Sequence, residues 1–190
     1  AGFGFKIAAA PFHMWAPDVY QTAPTPVASL IASASKVAGF FVLGRFLWEG
    51  FGQHAGSIQV THWTSGWIGI IGLLACLSMV IGNFAALKQI NLRRLLAYSA
   101  VAHSGYALLG IASPSTLGPA SVSFYMMTYG ISIVGMFGLL QILEQNGHAS
   151  DFKSLESLRF RSGWMTACLT ILILSMAGIP PMVGFLAKFN

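Results

Sequence analysis

The chain has 190 residues, 55% of them hydrophobic and only 8% charged, with a formal net charge of +5. A soluble domain carries about 25% charged residues, so this composition excludes disorder, nucleic-acid binding and an ordinary cytosolic enzyme, and points to a polytopic membrane protein. The basic excess is scattered among apolar runs, which makes no DNA-binding stripe and fits charge sorting between loops instead.

A spanning helix needs about 20 mainly apolar residues. Residues 1–23 read as the remainder of a spanning helix, broken at Pro11, followed by a loop. Residues 25–48 form a first full span with Lys36 at its middle. Residues 65–87 form the next, and 92–112 follow from an Asn-led start. Residues 119–143 form a fourth. Residues 163–190 read as a helix interrupted by GIPP. Helices are the open-ended structure that satisfies its own backbone in lipid, and strand alternation is absent, which argues against a barrel. The expected fold class is an all-α polytopic membrane protein, a transmembrane helix bundle with two broken helices. The chain opens inside AGFGFKIAAA, stops inside GFLAKFN and does not begin with Met. It is therefore expected to be a single transmembrane domain, residues 1–190, from a longer protein.

Charge sorting sets an orientation. Lys88, Arg93 and Arg94 sit between the second and third spans, and Lys153, Arg159 and Arg161 sit after the fourth. The loops around 49–64 and 113–118 hold no Lys or Arg. The basic side is expected to be cytoplasmic. All five acids, Asp18, Glu49, Glu144, Asp151 and Glu156, fall in loops or at helix ends.

Lys36 is the sharpest chemical signal. It lies about 12 residues, or roughly 18 Å, from either end of its helix, too deep for its stem to reach the interface. Ser29, Ala32, Ser33 and Gly39 share its side, leaving space for water and close helix contact. The bland alternative is a structural lysine paired to a carboxylate. Lys6 and Lys188 each lie near a proline break, and broken helices at membrane depth recur at ion sites of transporters; taken singly, each could be a lysine beside an ordinary kink. His103 sits mid-span with Ser99 and Tyr106 on its face, and imidazole can both donate and accept a proton. A packing histidine is the alternative. His13, beside Pro11 and near Trp15, reads as an interfacial histidine. Cys76 and Cys168 lie in apolar runs and read as small core residues. No HExxH, GxGxxG, GxxxxGK[ST] or CxxCH pattern occurs, so no zinc protease, dinucleotide, nucleotide or haem site is expected. Composition and spacing end at a helix bundle with three buried lysines and a buried histidine.

The stretch FKIAAAPFHMWAPDVYQTAPTPVASLIASASK resembles the signature of the antiporter-like proton-channel subunits of respiratory complex I. PFHMWAPDVY followed by APTPV is most similar to the subunit-N branch, whereas the L and M branches usually read HTWLPDA here. LKQINLRRLLAYSAVAHSGY and SMAGIPPMVGFLAKF also look like the family, so the resemblance runs from end to end. It implies an inverted-repeat antiporter-like fold of about fourteen spans, of which this chain covers the seventh to the twelfth. It implies a proton relay of Lys6, Lys36, His103 and Lys188, coupled to electron transfer in other subunits. Lys6 would pair with a glutamate on the fifth helix, upstream of Ala1. No cofactor or metal is implied in this chain; NADH, FMN, iron–sulfur clusters and quinone belong to partner subunits. The implied partners are other complex I membrane subunits and the lipid bilayer, with no nucleic acid and no homo-oligomer, in a bacterial inner membrane. Two other readings remain: a subunit of a multisubunit cation/proton antiporter, and a non-conducting membrane scaffold.

Overall fold

The structure is a computed structural model that describes residues 1–59, 62–64, 66–113, 117–145, 151–152 and 162–189. Four of its helical stretches are long and apolar enough to cross a bilayer: Thr25–Gly50, Trp67–Leu87, Leu92–Ala112 and Gly118–Gln145. Such lengths follow from a rise of about 1.5 Å per residue across an apolar core about 30 Å thick. The basic residues Lys153, Arg159 and Arg161 of the expected loop lie outside the described residues.

The chain begins with α1 (Gly2–Lys6) and a non-helical stretch, then α2 (Trp15–Thr22). Pro24 sets an extended turn, and Pro26 sits in the first turn of the next helix, where its missing N–H costs nothing. That long helix is composite. It comprises α3 (Thr25–Leu30), a π-turn at Ile31–Ser35, α4 (Lys36–Arg45) and a second π-turn at Phe46–Gly50. A π-turn inserts a residue into the helical ladder and recurs at functional sites; the first one ends directly at Lys36.

The connection to α5 (Trp67–Leu87) contains a two-stranded antiparallel ribbon, β1 (Ser57–Gln59) and β2 (His62–Thr64), with Ser57 opposite Thr64 and Gln59 opposite His62. The sequence showed no strand alternation, because three-residue strands are too short to display a period of two. The ribbon is a local addition to a helical architecture.

Helices α5 and α6 (Leu92–Ala112) make the most extensive pair. Small residues let their backbones approach: a Cβ on Gly82 would lie 2.6 Å from the Ala102 nitrogen, and one on Gly105 would lie 2.8 Å from the Ala75 carbonyl oxygen. Asn91 caps α6, its Oδ1 accepting from the Arg93 and Arg94 backbone N–H groups at 2.9 and 3.3 Å, as the Asn-led start predicts. Ile70, Leu73, Phe84 and Leu87 of α5 face outward, an apolar face suited to lipid. Cys76 is exposed on this helix and Cys168 is half-buried. Neither is the core residue expected, because an all-round apolar helix leaves burial to be decided by its neighbours.

Helix α7 (Gly118–Gln145) runs through the centre of the bundle, burying Met126, Ile133, Phe137 and Leu140. At its far end Glu144 takes a forked ion pair from Arg93 and a 2.7 Å hydrogen bond from Thr25 Oγ1. Arg93 also donates to the Ala23 carbonyl at 2.7 Å, and Arg94 pairs with Asp18 at 2.8 Å. The arginines expected only to orient the chain therefore also tie α2, α3, α6 and α7 together.

Helix α8 (Gly163–Ala177) is only 15 residues long. It closes at Gly178, whose φ of 78° is left-handed. The Gly178 and Ile179 N–H groups donate back to Ser175 and Leu174 carbonyls at 3.0 and 3.1 Å, a paired cap that a side chain with a Cβ would strain. Helix α9 (Val183–Phe189) then folds back on α8. A Cβ on Gly184 would sit 1.7 Å from the Ser175 carbonyl oxygen. Gly184→Ala is expected to destabilise the full-length subunit by about 1–3 kcal/mol or more through overpacking. Gly50→Ala, with nothing within 4 Å of the new methyl, serves as the control, read by thermal unfolding in detergent.

Candidate functional site

Lys36 is the one charged residue in the buried interior of the described residues, at 2% exposure. Ala32, Ser33 and Gly39 are buried on the same side of the helix. Its ammonium donates to the Ala100 carbonyl oxygen of α6 at 2.5 Å. A helical carbonyl keeps a second lone pair after its own ladder bond, so it can accept the amine without breaking α6. The Lys36 ammonium also lies 5.8 Å from the centroid of the Tyr129 ring, within the range at which an aromatic face attracts a cation. Among the described residues no carboxylate pairs with it, so there the carbonyl and the ring replace the amine's water.

His103 sits at the middle of α6 inside a cluster of tyrosines. The ring centroids of Tyr129, Tyr125 and Tyr106 lie 5.0, 6.0 and 6.0 Å away. Its Nδ1 shares a 2.6 Å hydrogen bond with the Tyr125 hydroxyl. The partner on its own helix is thus Tyr106, as the i+3 spacing predicts. The hydrogen bond comes from α7, and Ser99 does not supply it. Tyr129 is near both groups, its ring centroid 5.8 Å from the Lys36 ammonium and 5.0 Å from the His103 ring, and its buried hydroxyl has no hydrogen-bond partner among the described residues.

Lys188 approaches from the other side. Its ammonium donates to the Met176 and Ala177 carbonyls at 3.0 Å each, the negative end of the α8 dipole. It lies 5.0 Å from the Tyr106 ring centroid. The residue itself is exposed, so it is not the fully buried lysine expected. The GIPP interruption places it at a helix terminus, where carbonyls and solvent space are both at hand. A cavity of about 10 Å³, close to the room one water needs, is lined by His103, Tyr129, Ser132, Ser175 and Lys188. A larger cavity of about 410 Å³ lies beyond, bounded by Tyr106, Gly110, Ser121, Tyr125 and Lys188. Lys188 borders both.

Lys6 closes α1 and is exposed, with no hydrogen-bond or ion-pair partner among the described residues. Its stem packs over Gly39, one turn from Lys36. The break that follows is well satisfied. Ala8 takes a left-handed backbone at φ 53°. The Ala10 N–H donates to Ser78 Oγ of α5 at 2.9 Å. Ser104 Oγ of α6 lies 2.8 Å from the Ile7 carbonyl and 2.9 Å from the Ala100 carbonyl, the one that also receives Lys36. Hydroxyls on neighbouring helices are what permits irregular backbone at membrane depth. His13 is buried beside Tyr98, at 6.3 Å between rings. Ser78, Ser104, Tyr125 and Tyr129 all escaped the sequence reading. Their only signal was a polar group inside an apolar span.

Residues 1–190 match the family described as NADH:quinone oxidoreductase/Mrp antiporter, transmembrane. The chain belongs to this family. NADH-quinone oxidoreductase subunit N 2 of Acidobacterium capsulatum is 52% identical over 188 residues, covering 99% of the chain and 38% of that relative. Subunit N 1 of Roseiflexus castenholzii is 44% identical over 196 residues, covering 36% of its length. The chain thus spans well under half of the curated relatives it matches. Among solved structures, a chain of respiratory complex I from Thermus thermophilus superposes with a TM-score of 0.79 at 34% identity, over 99% of this chain and 39% of that one. A chain of the Mrp complex from Dietzia superposes at 0.82 but at 20% identity, over 98% of this chain and 33% of that one, which shows the shared fold alone. The antiporter-like helix bundle and its multi-pass place in a membrane are therefore shown. Among the described residues no three His, Cys, Asp or Glu side chains gather as metal ligands.

In this antiporter-like bundle the break at residues 7–10 depends on hydroxyls that can be removed singly. Ser78→Ala leaves the buried Ala10 N–H unpaired, at a cost of about 1–3 kcal/mol. Hydrogen–deuterium exchange of the full-length subunit should show faster exchange at Ala10, with α7 amides unchanged.

Proposed function

We propose that this chain is part of a proton-translocating membrane-arm subunit of NADH:quinone oxidoreductase, and that Lys6, Lys36, His103 and Lys188 form its relay. Electron transfer to quinone takes place in partner subunits, which hold NADH, FMN and the iron–sulfur clusters. The partners are the other membrane subunits of that complex. The single observation that carries the reading is the enclosed Lys36 ammonium, which shares the Tyr129 ring with His103 and has no carboxylate partner among the described residues. A charge at the bilayer centre costs at least about 2.5 kcal/mol, so a chain that served only to fill the membrane would have no use for it.

The steps follow from the positions. Lys6, at the α1 break, receives a proton while a carboxylate elsewhere in the subunit faces it. When that partner withdraws, the proton moves toward Lys36, whose helix packs on the Lys6 stem at Gly39. From Lys36 it passes to the neutral imidazole of His103, using one nitrogen to accept while the other keeps its bond to Tyr125. From His103 it reaches Lys188 through the small cavity between them. Lys188 releases it into the larger cavity, which opens toward residues 113 and 118. By the charge sorting that end lies opposite the basic loops, on the positive side. Moving one charge against 100 mV costs about 2.3 kcal/mol, so the drive comes from redox coupling.

A cation/proton antiporter subunit is the second reading, kept because the family description covers both kinds of subunit. The APDVY segment and the 52% identity to a subunit N relative favour the first. Co-purification separates them: the first expects NADH-oxidising and iron–sulfur subunits, and a partner set of small antiporter subunits alone would exclude it. Against a passive scaffold, Lys36→Met in the full-length protein is expected to leave assembly intact. It should lower proton flux through this subunit by about 10²-fold, read as a reduced proton-to-electron ratio in vesicles. An unchanged ratio would defeat the relay. Tyr129→Phe keeps the ring against Lys36 and removes the hydroxyl; proton flux is expected to fall less than in Lys36→Met.

A further inference from the structure

A groove of about 300 Å³ lies on the surface formed by the described residues, between the end of α4 and the start of α7, away from the proposed relay. Its two walls run in opposite directions, so depth along it is ordered by sequence. Phe40, Phe41 and Met126 line the end nearer the membrane middle, and Arg45, Glu49 and Ser123 line the mouth. The mouth lies at the end of a span, close to Trp48, whose indole N–H donates to the Ile111 carbonyl at 3.3 Å. Tryptophan at a span end marks the headgroup level of a bilayer. The groove therefore has an apolar floor at hydrocarbon depth and a charged rim at headgroup depth.

The rim carries both signs. Arg45 and Glu49 are paired at 3.2 and 3.3 Å, with side chains 75% and 67% exposed. Tight charge-assisted bonds are about 2.7–2.9 Å, and exposed pairs of this kind contribute little. Exchanging this bond for new partners therefore costs little. A cation and an anion side by side above an apolar slot complement an amphiphile whose headgroup carries both charges. We propose that this groove binds a phospholipid with a primary-amine headgroup, its phosphate on the Arg45 guanidinium, its ammonium on the Glu49 carboxylate and its upper acyl chain along Phe41 and Met126. An anionic headgroup without the amine meets repulsion from Glu49. A choline headgroup offers Glu49 no N–H to accept from. The proposal does not rest on the relay.

The test uses the full-length subunit in its purified membrane complex, reconstituted into phosphatidylcholine vesicles doped with photoactivatable phosphatidylethanolamine, phosphatidylglycerol or phosphatidylcholine. Labelled peptides are identified by mass spectrometry. Phosphatidylethanolamine is expected to label the peptides holding residues 40–49 or 119–126 on the order of tenfold more than the other two, a difference of about 1.4 kcal/mol. Glu49→Ala should remove that preference, while Arg45→Gln should lower labelling by all three lipids, which share the phosphate. Equal labelling by the three lipids, a preference unchanged in Glu49→Ala, or cross-links from this groove only to another protein segment would overturn the proposal.

Discussion

An ammonium in the middle of a membrane protein must be given replacements for water, and the way Lys36 is served sets much of the arrangement around it. Its only hydrogen-bond acceptor in the described residues is the Ala100 carbonyl of α6, backed by the Tyr129 ring of α7. Neutral partners of this kind offset part of the desolvation cost, and less than a carboxylate would. The site is therefore poised, with the charge tolerated and not locked. This requires α4, α6 and α7 to hold their spacing. The Arg93–Glu144–Thr25 clamp secures one end of these same helices. The π-turn at Ile31–Ser35 sets the register of Lys36 just before it enters the site.

The broken helices belong to the same economy of polar groups. A helix interruption frees backbone donors and acceptors that lipid cannot satisfy. At the first break, Ser78 accepts from Ala10 and Ser104 reaches Ile7. Ser104 has one proton and two acceptors, and the second acceptor is the carbonyl that also receives Lys36. The Ser104 hydroxyl and the buried amine thus compete for the Ala100 carbonyl, and donation from Ser104 to Ile7 at the break leaves that carbonyl to Lys36. At the second break the paired cap leaves the Met176 and Ala177 carbonyls to Lys188. Each lysine of the relay that is fixed by hydrogen bonds is fixed by main-chain oxygen, which stays in place whatever the amine's charge.

The spans, Lys36 and His103 were legible in the sequence because the signals are local: a 20-residue apolar run, and a polar residue too far from its ends to escape. The 3.6-residue period placed Ala32, Ser33 and Gly39 on the Lys36 side, and the structure buries them there. Tyr125 and Tyr129 were not legible, because their role comes from α7 lying against α6, and no local pattern says which helix becomes a neighbour. The outward position of Cys76 was not legible for the same reason. Arg93 could be read as a topology charge from its position, but its partner Glu144 lies 51 residues away. Three-residue strands and single π-turns are shorter than any periodicity can register.

The exposures of the four residues of the proposed relay form a sequence of their own. Lys6 and Lys188 are open, while Lys36 and His103 between them are closed. The closed pair shares one neighbouring ring, Tyr129. Two cations in one enclosed site repel strongly because little water screens them, so in the proposed relay the middle holds one positive charge at a time. A proton arriving on Lys36 then favours departure from His103 toward Lys188, where α8 carbonyls and an adjoining cavity of about 410 Å³ receive it. The direction of flow does not reside in either central residue. It depends on which open end is presented with a compensating charge, and at Lys6 that charge must come from beyond the described residues.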